Sequence, residues 1–262
     1  MYELFQEYSI KNLRLKNRIV MAPMCMYCAP ETGTVTDWHV LHYATRAVGG
    51  VGLIIQEATA VSPEGRISAS DLGIWDDGHI AGLASIVKAV HDNGAKIGIQ
   101  LNHAGRKCEA KGMDIEAPSA IPYTEGNPAP RAMTKNDIEQ TVREFQEAAI
   151  RANKAGYDLI QIHAAHGYLL NEFLSPLTNH RQDEYGGSYE NRVRLLDEVL
   201  TAIRAVWPED KPLEVRITAE DYDQNGNHSC DLAEMLNLIK NKGIDSVNVS
   251  TGGVTAVIPD TF

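Results

Sequence analysis

The sequence predicts a parallel α/β fold. Three observations carry this. Short apolar strands alternate with amphipathic helices. Several helices end on a glycine just before the next strand. One helix–strand junction recurs almost letter for letter, as NKAGYDLIQIH (153–163) and KNKGIDSVNVS (240–250). A recurring αβ junction is what a parallel sheet with helical crossovers requires.

Six strands are expected. They are residues 18–24 (RIVMAPM), 51–59 (VGLIIQEAT), 96–103 (KIGIQLNH), 159–165 (LIQIHAA), 213–218 (LEVRIT) and 246–251 (SVNVST). Each is short and apolar or β-branched, as strands buried on both faces are. Between them, Ile80, Leu83, Ile86, Val87 and Val90 recur at helical spacing within 77–93. Thr134 is placed to cap a helix carrying Ile138, Val142, Phe145 and Ala149. Val193, Leu196, Val199, Leu200 and Ile203 repeat the pattern, and Leu232, Met235 and Ile239 begin it again. Gly94, Gly156 and Gly243 stand where C-cap glycines stand.

The connections narrow the architecture. Neither G-x-G-x-x-G nor G-x-x-x-x-G-K-[ST] is present, so the dinucleotide and P-loop signatures do not decide it. Polar residues gather where strands end: Cys25, Gln100, His163, His166 and Arg216. Such residues inside buried strands are costly unless paired. Their clustering favours a barrel with a polar mouth over a doubly wound sheet, namely a TIM (β/α)8-type barrel. The segment 108–134 holds Pro118, Pro122, Pro128 and Pro130 and reads as a long functional loop.

Composition removes several classes. No stretch approaches the ~18 apolar residues of a membrane span, and MYELFQEYSI is not a signal peptide. A net charge of −11 argues against binding nucleic acid or anionic membranes. Four cysteines, with one CxxC at Cys25 and Cys28, make neither a disulfide framework nor a zinc ribbon. A reducing, cytoplasmic setting is expected.

Each candidate site has an ordinary reading beside its functional one. His163-Ala-Ala-His166 could bind zinc, or be two hydrogen-bonded structural histidines. It could instead supply two donors to one substrate oxygen, where they would stabilise developing charge. Tyr168, two residues on, could supply a proton. Arg216 could form a structural ion pair or present a fixed cation to an anionic cofactor. Gln100 carries both donor and acceptor, which suits a heterocycle edge. Cys25 follows a strand rather than opening a helix, unlike a thioredoxin-type CxxC. No G-x-S-x-G supports a hydrolase nucleophile.

Three motifs, RIVMAPMCMY (18–27), IQLNHAGRK (99–107) and IHAAHGYLLNEFLSPLTNHRQDEYGGSYENR (162–192), resemble the signatures of the old yellow enzyme family of FMN-dependent ene reductases. The match is closest to its bacterial, cysteine-containing branch and runs from about residue 3 to the C-terminus. The resemblance implies that Ala22, Pro23, Met24, Cys25, Ala58, Gln100 and Arg216 bind FMN. It implies that His163 and His166 bind a substrate carbonyl, with Tyr168 as proton donor and Tyr27 as a substrate contact. The implied cycle is ping-pong. NAD(P)H reduces FMN, and hydride then passes to the activated C=C bond of an α,β-unsaturated carbonyl compound. Homo-oligomers are expected of the full-length family.

That family's barrel has eight βα units, and about six are counted here. The chain, 1–262, is therefore expected to be one FMN-binding TIM-barrel domain, C-terminally incomplete, that by itself binds FMN weakly or not at all. Two alternatives go with this. One is the barrel fragment of a larger dienoyl-CoA-reductase-like FMN/iron–sulfur enzyme. The other is an inactive shortened paralogue.

Overall fold

The computed structural model describes residues 3–256. A hairpin of β1 (Tyr8–Ile10) and β2 (Leu13–Leu15) opens the chain. Then follow β3 (Val20–Met21), α1 (Asp37–Val48), β4 (Leu53–Ala60), β5 (Leu72–Gly73), α2 (Ile80–Asp92) and β6 (Lys96–Asn102). After β6 come β7 (Glu116–Ala117), β8 (Arg131–Ala132), α3 (Lys135–Ala155), β9 (Leu159–Ala164) and α4 (Leu169–Leu174). The remainder is α5 (Tyr189–Arg192), α6 (Arg194–Arg204), β10 (Leu213–Thr218), α7 (Ser229–Ile239) and β11 (Ser246–Ser250).

The main sheet runs β11-β10-β9-β6-β4-β3, every neighbouring pair parallel, with β5 added against β4. All six expected strands are in it. This is the curled parallel sheet of a TIM-type barrel, with β3 and β11 at its two edges among the described residues. Its outer face carries Ile97, Ile99, Ile160, Ile162, Leu213, Val215 and Ile217, all buried under the helices. The helices answer with the expected residues: Leu83, Ile86, Val87 and Val90 from α2, and Ile138, Phe145 and Ala149 from α3. Burying such side chains stabilises by about 2 kcal/mol each.

The helix ends follow the sequence signals. Thr134 Oγ1 accepts the Asp137 N–H, and the Asp137 carboxylate accepts the Thr134 N–H, closing a capping box at the start of α3. Gly156, at φ 93°, turns the chain out of α3 in a conformation glycine adopts without steric cost.

Two expectations need correction, and one element was unforeseen. The first barrel strand is only Val20–Met21, because Pro23 cannot donate to a ladder, so Cys25 lies four residues past it. The segment 108–134 is not wholly irregular: β7 and β8 pair within it. The N-terminal hairpin was not expected. Its Leu13 and Leu15 pack on Leu53, Ile55 and Leu159 and so close the lower end of the sheet's inner face. The alternating Leu-Arg-Leu of β2 was its local signal, and its two-residue turn carries Lys11 at φ 50°.

Candidate functional site

The inner face of the sheet is polar, and its register sorts the polar residues into levels. At the lower level Ala58, Gln100, Gln161, Glu214 and Ser246 stand side by side on β4, β6, β9, β10 and β11. Gln100 Nε2 donates to Gln161 Oε1 at 2.6 Å. Gln161 in turn donates to Glu214, whose second oxygen accepts the Ser246 hydroxyl at 2.8 Å. A continuous row of hydrogen bonds thus crosses four strands, the arrangement that makes buried polar groups tolerable. One level higher, Arg216 is the register partner of both His163 and Asn248. Period-two alternation in LEVRIT places Glu214, Arg216 and Thr218 inward, and Leu213, Val215 and Ile217 outward.

At the strand ends the structure brings His163, His166 and Tyr168 together. The His163 ring meets those of His166 and Tyr168 edge-on, at centroid distances of 5.2 and 4.8 Å. His163 Nδ1 accepts the Ala165 N–H at 3.3 Å, which assigns its proton to Nε2. Burial, with His166, Arg216 and Lys107 nearby, pulls the His163 imidazole well below its usual range. Burial, Arg216 and Lys107 pull His166 down to about 4. Both rings are therefore neutral at pH 7. His166 sits at φ 59°, a left-handed conformation held by its N–H on Thr218 Oγ1 (2.8 Å) and its Nε2 on Ser250 Oγ (2.6 Å). Burial and the nearby Cys25, Tyr27 and Asp71 hold the Tyr168 hydroxyl well above the ordinary phenol range, so it keeps its proton.

The segment after β3 lies beside this group. Ala22 and Met24 are exposed, Pro23 is buried, and Tyr27 is exposed at φ 53°. Cys25 packs with Tyr168 against the cluster holding Ala58 and Ala104. Burial, then Asp71 and Glu57, push its thiol up to about 12, so it is a thiol and not a thiolate. A bulge in β4 turns Glu57 out of the ladder. Its buried carboxylate accepts the Met26 N–H at 2.7 Å and the Tyr43 hydroxyl at 2.9 Å, and so anchors the Cys25 segment.

Several residues of the site escaped the sequence reading. Lys107 and Arg106 lie inside the quoted IQLNHAGRK motif, and Glu172 inside the longest motif. Gln161 stands two residues before His163, and Glu214 two before Arg216, so strand parity was the signal for both. Nothing in the local pattern marks Glu57 or Ser250. Among the described residues no group of three His, Cys, Asp or Glu could hold a metal ion.

The inner face does suit a planar ring with donors and acceptors. Arg216 Nε and Asn102 Oδ1 are buried without hydrogen-bond partners among the described residues. Such groups cost on the order of 1–3 kcal/mol unless something satisfies them. Ala58 leaves room beside Gln100, and an unpaired guanidinium fits an electron-rich heterocycle.

A parallel barrel of this kind defines, with its relatives, a flavin-dependent oxidoreductase. The chain belongs to the NADH:flavin oxidoreductase / NADH oxidase family, whose model matches residues 3–260. It is 58% identical over 260 residues to the NADPH dehydrogenase of Geobacillus thermodenitrificans, covering 99% of this chain and 76% of that one. The old yellow enzyme homologue from Zymomonas mobilis superposes with a TM-score of 0.84 at 34% identity, covering 95% of this chain and 73% of that one. A 2-naphthoyl-CoA reductase superposes with a TM-score of 0.92 at 27% identity, over 98% of this chain but 42% of that one. The family binds FMN, and its dehydrogenases are named for NADPH. Among the described residues no helix is long and apolar enough to cross a membrane.

Proposed function

We propose that this chain reduces the activated C=C bond of α,β-unsaturated carbonyl compounds with electrons from NADPH. The observation that carries the reading is the convergence of two neutral imidazoles, His163 and His166, with the protonated Tyr168. FMN, when bound, supplies the hydride chemistry between nicotinamide and alkene.

The chain's own residues do the rest. Ala22, Pro23, Met24, Cys25, Ala58, Gln100 and Arg216 would hold the flavin, with Arg216 offering its unpaired guanidinium to electron-rich atoms. His163 and His166 donate to the substrate oxygen. Such donors act most strongly where negative charge accumulates, and so favour the transition state over the ground state. Tyr168 gives its proton to the α-carbon, and Tyr27 lines the open side. A neutral imidazole suits this role, because it donates without handing over its proton.

The larger CoA-ester reductase reading draws on the naphthoyl-CoA reductase likeness. The 58% identity to a dehydrogenase of which the chain covers 76% favours the simpler enzyme. The purified chain, supplied with excess FMN, tests the reading through NADPH oxidation with and without 2-cyclohexenone. Enone-dependent oxidation and a saturated ketone product are expected. NADPH oxidation by ferricyanide without any enone reduction would remove the proposal.

A further inference from the structure

Lys107 is a half-buried cation of the mouth that the chemistry above leaves without a task. It lies in the loop after β6, yet its ammonium reaches two other loops. Nζ donates to the His166 carbonyl at 2.9 Å and to the Gly253 carbonyl at 3.2 Å. It also lies over the rings of Tyr123 and Tyr168, 4.6 and 5.0 Å from their centroids. We propose that Lys107 is a positioning residue, which ties the His166 corner after β9 to the loop after β11 and thereby sets the direction in which His166 donates. The inference rests on the reading above.

The backbone around His166 needs such a tie. A non-glycine residue in the left-handed region costs roughly 1–3 kcal/mol and persists only where its surroundings enforce it. The next residue, Gly167, is also left-handed at φ 72° and is pressed on the β11 loop, so that a Cβ there would lie 2.1 Å from the Gly253 oxygen. A Cβ on Gly253 would in turn lie 2.8 Å from the His166 Cα. Two backbone segments thus touch directly, with the carbonyl of each pointing at one nitrogen. An ammonium is costly to bury without partners. Here its partners are the two carbonyls that define the corner.

The charge has a second effect. The cations facing His166 are Lys107 and Arg216, and its other neighbours are neutral: His163, Thr218 Oγ1 and Ser250 Oγ. Lys107 itself is faced by the acids Glu172 and Glu109 and by Arg106. Removing the Lys107 charge therefore leaves Arg216 as the one cation opposing protonation of His166.

Lys107→Met keeps most of the side chain's length and removes donor and charge, whereas Lys107→Arg keeps donor and charge. The His166 ring, followed by histidine-labelled NMR with His166→Asn to assign it, is expected to titrate at higher pH in K107M than in the wild type. With FMN and NADPH, enone turnover is expected to fall about 10–100-fold, as small displacements of a catalytic group do. Turnover with ferricyanide is expected to stay, and K107R to recover most of the loss. Should K107M not fold, Lys107→Gln takes its place. An unshifted His166 titration with undiminished enone turnover would overturn the proposal. So would parallel loss of flavin, melting temperature and ferricyanide turnover in both variants, since that pattern is purely structural. If the wild-type chain reduces no enone, the proposed function fails, while the His166 titration still decides the role of Lys107.

Discussion

His163 and Arg216 occupy opposed positions on neighbouring parallel strands, β9 and β10. A permanent cation therefore stands beside an imidazole that burial keeps neutral. The pair gives the mouth one fixed charge and one polarisable donor on rigid strands, and most of the site's behaviour follows from that division.

Truncating a donor tests the imidazole half. His163→Ala, or His166→Ala, is expected to lower enone kcat/KM by about 10²–10³-fold, the usual cost of one lost oxyanion donor. Steady-state kinetics with cyclohexenone against ferricyanide checks this, since ferricyanide requires no carbonyl donor. Equal losses with both acceptors would point to damaged cofactor binding instead.

Tyr168→Phe removes the proposed proton while keeping the ring that packs on His163. A fall in enone turnover of about 10²–10⁴-fold is expected, the range for general-acid catalysis. Reduction of the enzyme by NADPH, followed at the flavin band in stopped flow, is expected to keep its rate. Unchanged enone turnover would assign the proton to solvent.

The buried histidines fix an acid limb of stability. Burial pulls His103 down to about 4, and His166 reaches the same value. Their pKa values are lower in the folded chain than the ordinary 6.5, so the unfolded chain binds the extra protons. Stability is present above pH 6.5 and is lost as pH falls toward 4, by up to about 3 kcal/mol for each. Urea unfolding at pH 7, 5.5 and 4.5 measures the slope, and His103→Asn is expected to flatten it.

Glu57 holds the Cys25 segment from behind. Glu57→Ala strands the Met26 N–H and the Tyr43 hydroxyl, each bonded to that carboxylate. A loss of roughly 1–3 kcal/mol is expected for each buried group left unpaired, seen as a melting point several degrees lower. Glu57→Gln keeps one acceptor and is expected to lose less. If both melt like wild type, the carboxylate is not what secures the segment.

The barrel class was legible because parallel strands buried on both faces leave dense apolar runs, and because the αβ junction repeats. Thr134, Gly156 and the α2 and α3 faces were read correctly for the same local reasons. The His163–His166–Tyr168 group was legible because its members are close in sequence. Lys107 and Ser250 were not, since each reaches His166 across the barrel mouth from another loop or strand. The end of β3 was misjudged because apolar residues continue past Met21, while Pro23 breaks the ladder that defines a strand.

The β4 bulge has an electrostatic consequence. In a regular ladder the residue after Gln56 would pair with Gln100 and point into the barrel, and that residue is Glu57. A second carboxylate would then join Glu214 at the level just below Arg216. One extra residue instead sends Glu57 to the helical side and leaves Ala58 facing Gln100. A single irregularity in one ladder thereby keeps a carboxylate away from the place where an electron-rich guest would sit.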